Sequence, residues 1–276
     1  VVQAEDSSPE FDSGTDLMRR FWANRRREIE KAGFNATEHA QVLDNLVQHM
    51  ESHASLCAPV RLIERNEGLS TQLQTLNIIR VDRRAVSFCH QSYLDFLIAD
   101  RIVGQMQPGS DSIPRWLGEK SRQSLFRREQ LRQVLFLLAD EKPGDCLSAI
   151  NCLLDSKNVR FHIKQLLLEA VGQLRPSPAL VGRMIQLAED ESWRVHVVSE
   201  VFHGNVTWLE HFHKQGKLLE WLMGKNEPRQ GHALWLIISV AKQMPSLMSA
   251  ALSASIGMDR LRKSLHQLLL YFDAHN

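Results

Sequence analysis

Histidines beside carboxylates are the residues of this chain that could bind a metal ion. His203, His211 and His213 lie close together in the sequence, with Glu200 and Glu210 among them. Residues two apart on a helix, such as His211 and His213, point roughly 200° apart and cannot easily share one ion. A chelating helical pair needs the spacing i, i+4, as in H-E-x-x-H, and that motif does not occur. The pattern is typical of surface or interface histidines, and we predict no metal site here.

Glycine–lysine pairs could belong to a loop that holds a nucleotide phosphate. Such a loop reads G-x-x-x-x-G-K-[ST], because glycine lets backbone amides approach the phosphates and the hydroxyl holds Mg²⁺. Gly216-Lys217 and Gly224-Lys225 lack both the upstream glycine and the following hydroxyl. Glycine at these positions is typical of helix C-caps. G-x-G-x-x-G and G-x-S-x-G are also missing, so we predict that the chain is not itself an enzyme and holds no cofactor of its own.

Arginines and tryptophans could bind nucleic acid or a ligand surface. The run 25–27 of arginines is followed at once by Glu28 and Glu30, which indicates a solvated helix face. Lys+Arg 33 against Asp+Glu 32 is a near-neutral balance that argues against nucleic acid as a partner. We interpret the tryptophans as core packing, with a concave aromatic face for ligand contact as the minor alternative. They are Trp22, Trp116, Trp193, Trp208, Trp221 and Trp235.

The composition is that of a globular protein with a sizeable core. Hydrophobic residues make up 43% and charged residues 24% of the 276 positions. No apolar run approaches the ~18 residues needed to span a bilayer, so we expect no membrane partner. The cysteines are scattered, form no C-x-x-C pair and follow no secretory signal, so we expect reduced thiols and a cytoplasmic location. They are Cys57, Cys89, Cys146 and Cys152.

The first part of the sequence predicts a mainly α-helical module with one β-hairpin. Residues 1–14 are acidic and Ser-rich, which indicates a disordered tail. Apolar spacing predicts helices over 17–31, 37–55 and 90–105 and short segments over 59–66 and 70–76, and period-two alternation predicts hairpin strands over 78–81 and 85–88. This order is that of a winged-helix domain, which we assign to residues 15–107.

A winged helix can bind DNA, but the charges of its recognition segment and hairpin in this sequence favour DNA binding only weakly. The candidate recognition segment, Ser70–Leu76, carries no Arg or Lys. The phosphate contacts that dominate DNA affinity would have to come from Arg80, Arg83 and Arg84 alone. DNA binding is therefore a minor alternative.

The apolar pattern over residues 108–276 predicts stacked helix pairs. Arg160-Phe161-His162 and Arg194-Val195-His196 lie 34 positions apart, each at the start of the first helix of a pair. Pairs at roughly 33 to 40 residues are typical of an α-solenoid of the HEAT or armadillo kind. We interpret His162 and His196 as packing residues of the repeat. The predicted pairs are 125–140 with 145–154, 159–174 with 178–188, 193–205 with 208–223 and 231–244 with 246–256, and 261–272 is a closing helix.

The segment Val86–Ala99, VSFCHQSYLDFLIA, closely resembles the F-x-H-x-[ST/F]-[FY]-x-[DE]-[FY]-x-x-A motif that ends the winged-helix domain of NACHT-type STAND NTPases. These are signalling ATPases that include animal Nod-like receptors and many bacterial antiviral proteins. The resemblance covers about residues 10–175. Residues 16–22 and 69–77 fit the same domain, and 124–135 resemble the helical region that follows it in large bacterial members.

The resemblance implies that the chain is a regulatory part of a larger ATPase. In the family, the histidine at the position of His90 contacts the β-phosphate of ADP held by the neighbouring ATPase core and helps to lock the inactive state. A helix N-terminus adds partial positive charge to such a contact. Exchange to ATP would break the contact and release the domain. ATP or ADP with Mg²⁺ would then be the cofactor of an upstream ATPase core.

The resemblance also implies that the helical repeats bind a protein ligand or hold an autoinhibited state. The chain does not start with Met and its last predicted helix is apolar, so we expect it to be part of a longer protein. Two alternatives stay open: a His90 that only caps or packs at the junction, and a free-standing helical-repeat scaffold for protein–protein interaction. Within the motif, the apolar residues fall at core spacing, and Asp95 is expected to pair with a nearby arginine.

Overall fold

The computed structural model describes residues 14–107 and 112–254, which are mainly α-helical with one small antiparallel sheet. The strands are β1 (Cys57–Pro59), β2 (Ile79–Asp82) and β3 (Ala85–Phe88). The helices are α1 (Gly14–Lys31), α2 (Ala36–Ser52), α3 (Glu67–Thr75), α4 (Gln91–Gln105), α5 (Ser112–Leu117), α6 (Leu125–Glu141), α7 (Pro143–Asp155), α8 (Phe161–Gln173), α9 (Pro178–Glu189), α10 (Glu191–Val197), α11 (Val206–Lys214), α12 (Lys217–Met223), α13 (Glu227–Ser239) and α14 (Pro245–Ala254).

The chain forms two compact units, Val1–Arg160 and Phe161–Asn276. The proposed domain boundary after residue 107 falls inside the first unit and stays a prediction. The predicted tail, apart from Gly14 in α1, and the predicted closing helix over 261–272 lie outside the described residues. Among the helices that are described, none has both the length and the apolar character needed to cross a membrane.

The sheet of the first unit has the order β1-β3-β2. The predicted hairpin is present, with Arg80 of β2 opposite Ser87 of β3. Val86 and Phe88 are buried while Ser87 is partly exposed, because alternate residues of a strand face opposite sides. The short segment predicted over 59–66 is present as two 3-10 turns, Val60–Leu62 and Glu64–Asn66. Pro59 instead ends β1, a strand that was not predicted and that pairs with the other edge of β3. Three residues are too few for alternation to reveal a strand.

Helix α4 lies at the centre of the first unit. It packs mainly against α6 and also contacts α2 and β3. Its inward face consists of apolar residues, among them Leu94, Ile98 and Ala99, and all three are almost fully buried. Residues of the predicted winged helix and of the first predicted repeat pair therefore share one core.

The second unit contains helices α8 to α14, and two of its predicted helices are broken. Residues 208–223 form α11 and α12 rather than one helix, because Gly216 adopts a left-handed conformation with φ of 75°. Residues 193–205 form α10 followed by a π-helical segment, Val198–Phe202. Helix α8 packs against both of these elements, and α12 packs against α13 and α14.

Candidate functional site

His90 lies at the junction between β3 and α4, at the N-cap position of α4. Its backbone is extended, with φ of −128° and ψ of 135°, and its side chain makes no capping hydrogen bond. Two backbone hydrogen bonds fix the junction: the Cys89 N–H donates to Ile78 O (2.9 Å) and the Tyr93 N–H donates to His90 O (3.1 Å). The fold therefore holds the backbone of His90 firmly and leaves the residue exposed to solvent.

An aromatic cluster from α1 and α4 supports the His90 ring. The His90 and Tyr93 rings meet edge to face, with centroids 5.1 Å apart. Tyr93 in turn stacks on Phe21 (4.7 Å) and meets Trp22 edge to face (5.8 Å). The Arg25 guanidinium lies 5.0 Å from the Phe21 ring centroid. Rings in these arrangements attract each other, so α1 orients the start of α4.

The charges at this end of α4 suit an anionic ligand. The first turn of α4 contains no acidic residue. The N-terminal amides of a helix carry partial positive charge and favour phosphate or carboxylate groups. An exposed imidazole at that position can donate a hydrogen bond to a phosphate oxygen.

Asp95 lies one turn further along α4 and is buried, with 4% of its surface exposed. The pKa of Asp95 is raised to about 6, mainly by burial; the charge of Glu129 acts in the same direction, and the side chain of Gln91 opposes the rise. No arginine is among the groups that act on it, so the expected Asp95–arginine pair was wrong. Asp95 Oδ1 and both polar side-chain atoms of Gln130 are buried without a partner. The α4–α6 contact thus contains a polar cluster that is not fully satisfied, which destabilises that contact.

A half-buried charge cluster around Glu51 was not predicted from the sequence. Glu51 Oε1 accepts hydrogen bonds from the Trp116 indole (2.8 Å) and from Arg127 (3.1 Å). Glu51 Oε2 pairs with Arg101. The Arg127 guanidinium also lies 4.7 Å from the Trp116 ring centroid. The cluster joins α2, α4, α5 and α6, and the long sequence separation of its members left no local pattern to read.

The histidines that lie near Glu200 and Glu210 in the sequence belong to different segments of the second unit. His203 stacks on Trp235 with centroids 3.8 Å apart, whereas His211 and His213 are on α11. Within residues 14–107 and 112–254, no three His, Cys, Asp or Glu side chains are grouped so that they could hold a metal ion. All four cysteines are free thiols. Cys146 is buried, and burial raises the pKa of its thiol to about 12.

The repeat histidines pack between helices of the second unit. The His196 ring meets Phe161 edge to face at 4.9 Å, as expected for a packing residue. His162 is half-buried on α8. His232, in the second turn of α13, is also half-buried. Burial lowers its pKa, and the Arg194 charge lowers it further.

The tryptophans of the second unit differ in their exposure to solvent. Trp208 and Trp221 are buried, as expected for core residues. Trp235, by contrast, is 42% exposed, and Phe161 and Val195 are more than half exposed. Lys164 lies over the Trp193 ring at 5.6 Å. In the first unit, the hairpin residues Arg80, Arg83 and Arg84 are exposed.

Comparison with known proteins found no matching family model, no matching curated protein and no matching solved structure.

Proposed function

We propose that the chain is the regulatory and sensing part of a NACHT-type signalling ATPase. In this proposal residues 15–107 form a winged-helix domain that reports the nucleotide state through His90. The helical repeats bind a protein ligand or hold the autoinhibited state. Catalysis belongs to an ATPase core that binds ATP or ADP with Mg²⁺, and this chain supplies no catalytic residue.

The exposed His90 at the junction of the hairpin and α4 is the observation that carries the proposal. Although the His90 ring contacts Tyr93, the residue is exposed and its side chain is not used for capping, so the imidazole is open to a ligand. The helix N-terminus beside it favours an anion. The element order α2, β1, two 3-10 turns, α3, β2, β3 and α4 supports the winged-helix interpretation.

The Glu51 cluster connects α4, which begins beside His90, to α5 and α6. A displacement of α4 moves Arg101, which pairs with Glu51, and Glu51 also binds Trp116 and Arg127. Buried charge pairs resist separation, because a partner left alone in the interior is strongly destabilised. A change at the nucleotide would therefore reach α5 and α6.

Two side-chain hydrogen bonds in the second unit join the end of α8 to the start of α11. Asn205 Nδ2 donates to Gly172 O (2.7 Å), 33 positions earlier, and the Trp208 indole donates to Leu174 O (3.0 Å), 34 positions earlier. Two contacts of this kind at one junction are consistent with stacked helix pairs of a HEAT-like array, which is the architecture we propose. The exposed Phe161 and Trp235 favour a protein ligand, because aromatic anchors dominate protein interfaces. The same surface is the argument for the second candidate, a helical-repeat scaffold without an ATPase.

The coding sequence ahead of Val1 distinguishes the two candidates. A phosphate loop followed by an acidic Mg²⁺-binding strand supports the regulatory role, and a start codon at Val1 contradicts it. In the protein with its ATPase core, we expect His90→Ala to raise basal activity. Gln91→Ala, one residue further at the same helix end, should leave basal activity near that of the unmodified protein. Equal activity of the His90 and Gln91 variants contradicts a special role of the imidazole.

A further inference from the structure

The last turn of α2 holds two histidines at the spacing that a helical metal chelate requires. His49 and His53 are four residues apart, and their rings stack with centroids 4.1 Å apart and an interplanar angle of 25°. His53 is the C-cap residue of α2, so its ring projects from the same turn as that of His49. His53 is exposed and His49 is half-buried.

The hydrogen bonds of His53 determine which of its nitrogens is available. His53 Nδ1 lies 2.8 Å from the backbone oxygen of His49 and 3.0 Å from Ser52 Oγ. A carbonyl oxygen only accepts, so Nδ1 carries the proton and the neutral ring has its lone pair on Nε2. Metal-binding histidines very commonly have this arrangement, in which the other ring nitrogen donates to a backbone carbonyl.

The charges around His49 and His53 have opposite effects on the binding of a cation. Burial lowers the pKa of His49, and the neighbouring His53 and Arg61 charges lower it further, which favours the neutral form that binds metals. The C-terminal end of α2 carries partial negative charge and attracts a cation. Arg61, in the 3-10 turn Val60–Leu62, repels one.

We propose that His49 and His53 form a two-ligand site for a transition-metal dication such as Zn²⁺, Ni²⁺ or Cu²⁺. Water completes the coordination sphere. An ion about 2.0–2.1 Å from each nitrogen requires the two nitrogens to lie about 3.3 Å apart in tetrahedral geometry. The stacked rings are inclined by only 25°, so the His49 ring must turn about its side-chain torsions until its nitrogen lone pair points at the same ion as Nε2 of His53. The site is independent of the proposed ATPase role.

Metal titration of the tag-free chain tests the proposal. We expect Ni²⁺ titrated calorimetrically to bind with one-to-one stoichiometry, and at least tenfold more weakly to His49→Gln and to His53→Gln. His211→Gln, whose nearest histidine is two residues away, is the matched control and should bind as tightly as the unmodified chain. Arg61→Gln should bind more tightly, because it removes the repelling charge. Unchanged affinity in either of the first two variants overturns the site, and so does an equal loss in the control.

Two further measurements separate this site from other sources of binding. Long-range ¹H–¹⁵N spectra with Zn²⁺ should shift Nε2 of His53 and leave its Nδ1 protonated, whereas Zn²⁺ on Nδ1 contradicts the geometry. Cys57→Ser should bind Ni²⁺ as the unmodified chain does. A tenfold loss in that variant shows that the exposed thiol is a ligand and overturns a site made of two histidines.

Discussion

Glu51 is the residue whose replacement we expect to weaken the first unit most specifically. Glu51→Gln keeps the size and shape of the side chain but offers one accepting oxygen to three donor groups: Trp116, Arg101 and Arg127. The amide nitrogen must then face at least one of these donors. Both arginines would keep their charge without the carboxylate that balances it.

The expected cost follows from how deeply the cluster is buried. Removing one partner of a buried charge pair costs about 3–5 kcal/mol. The side chains of Glu51, Arg127 and Arg101 are 11%, 18% and 25% exposed. Water can partly rehydrate the arginines after the substitution, so we expect a loss of about 2–3 kcal/mol in the free energy of unfolding of the first unit.

Hydrogen exchange measured peptide by peptide is the suitable assay, because it reports on each unit separately. Glu51→Gln should lower protection in α2, α4 and α6 and leave α11 to α13 unchanged. Glu38→Gln is the matched control: Glu38 accepts from Asn66 (2.8 Å) at an exposed site, and its loss should cost less than about 0.5 kcal/mol. If the two variants lose the same protection, the Glu51 cluster does not stabilise the unit as argued.

Two other predictions concern particular side chains. The pKa of Asp95 is raised to about 6 in the folded protein, so between about pH 4 and 6 the folded protein binds more protons at this carboxyl than the unfolded chain does. The free energy of unfolding therefore falls as the pH rises through that range. Asp95→Asn should therefore raise stability at pH 7 by about 1–3 kcal/mol in urea unfolding and flatten this pH dependence, and a destabilised variant would contradict the assignment. Gly172→Ala would place a Cβ 2.3 Å from the backbone oxygen of Glu200, so it should lose about 2 kcal/mol in thermal unfolding. Gly182→Ala, which meets nothing within 4 Å, should be neutral or stabilising, and equal effects of the two alanines would refute the close approach of α8 to the π-helical segment.

The features that could be predicted from the sequence are those that repeat over many residues. The long helices and the hairpin of β2 and β3 follow from apolar periods of 3.6 and 2, and they are present. The strand β1 could not be predicted because three residues show no period. The interpretation of Gly216 as a helix C-cap is confirmed, since α11 ends just before it and its φ is 75°. The single helix predicted over 208–223 was wrong, because the apolar pattern continues past this glycine.

Residues of the candidate sites could be predicted only where they lie close together in the sequence. His90 could be located because it belongs to a contiguous motif. The Glu51 cluster could not, because Glu51 and Arg127 are 76 positions apart and only the tertiary fold brings them together. The spacing of His49 and His53 is visible in the sequence, yet a search for the full H-E-x-x-H motif passes over it, since Glu51 and not residue 50 is the acid between them.

The release rate of ADP tests the central claim most directly. In the protein that contains both an ATPase core and these residues, a fluorescent ADP analogue is bound and its dissociation is followed after dilution into unlabelled ADP. A hydrogen bond to a charged group contributes about 1.5–3 kcal/mol, so His90→Ala should release ADP roughly 10- to 100-fold faster than Gln91→Ala or the unmodified protein. Identical release rates in all three proteins would contradict the proposal that His90 senses the bound nucleotide.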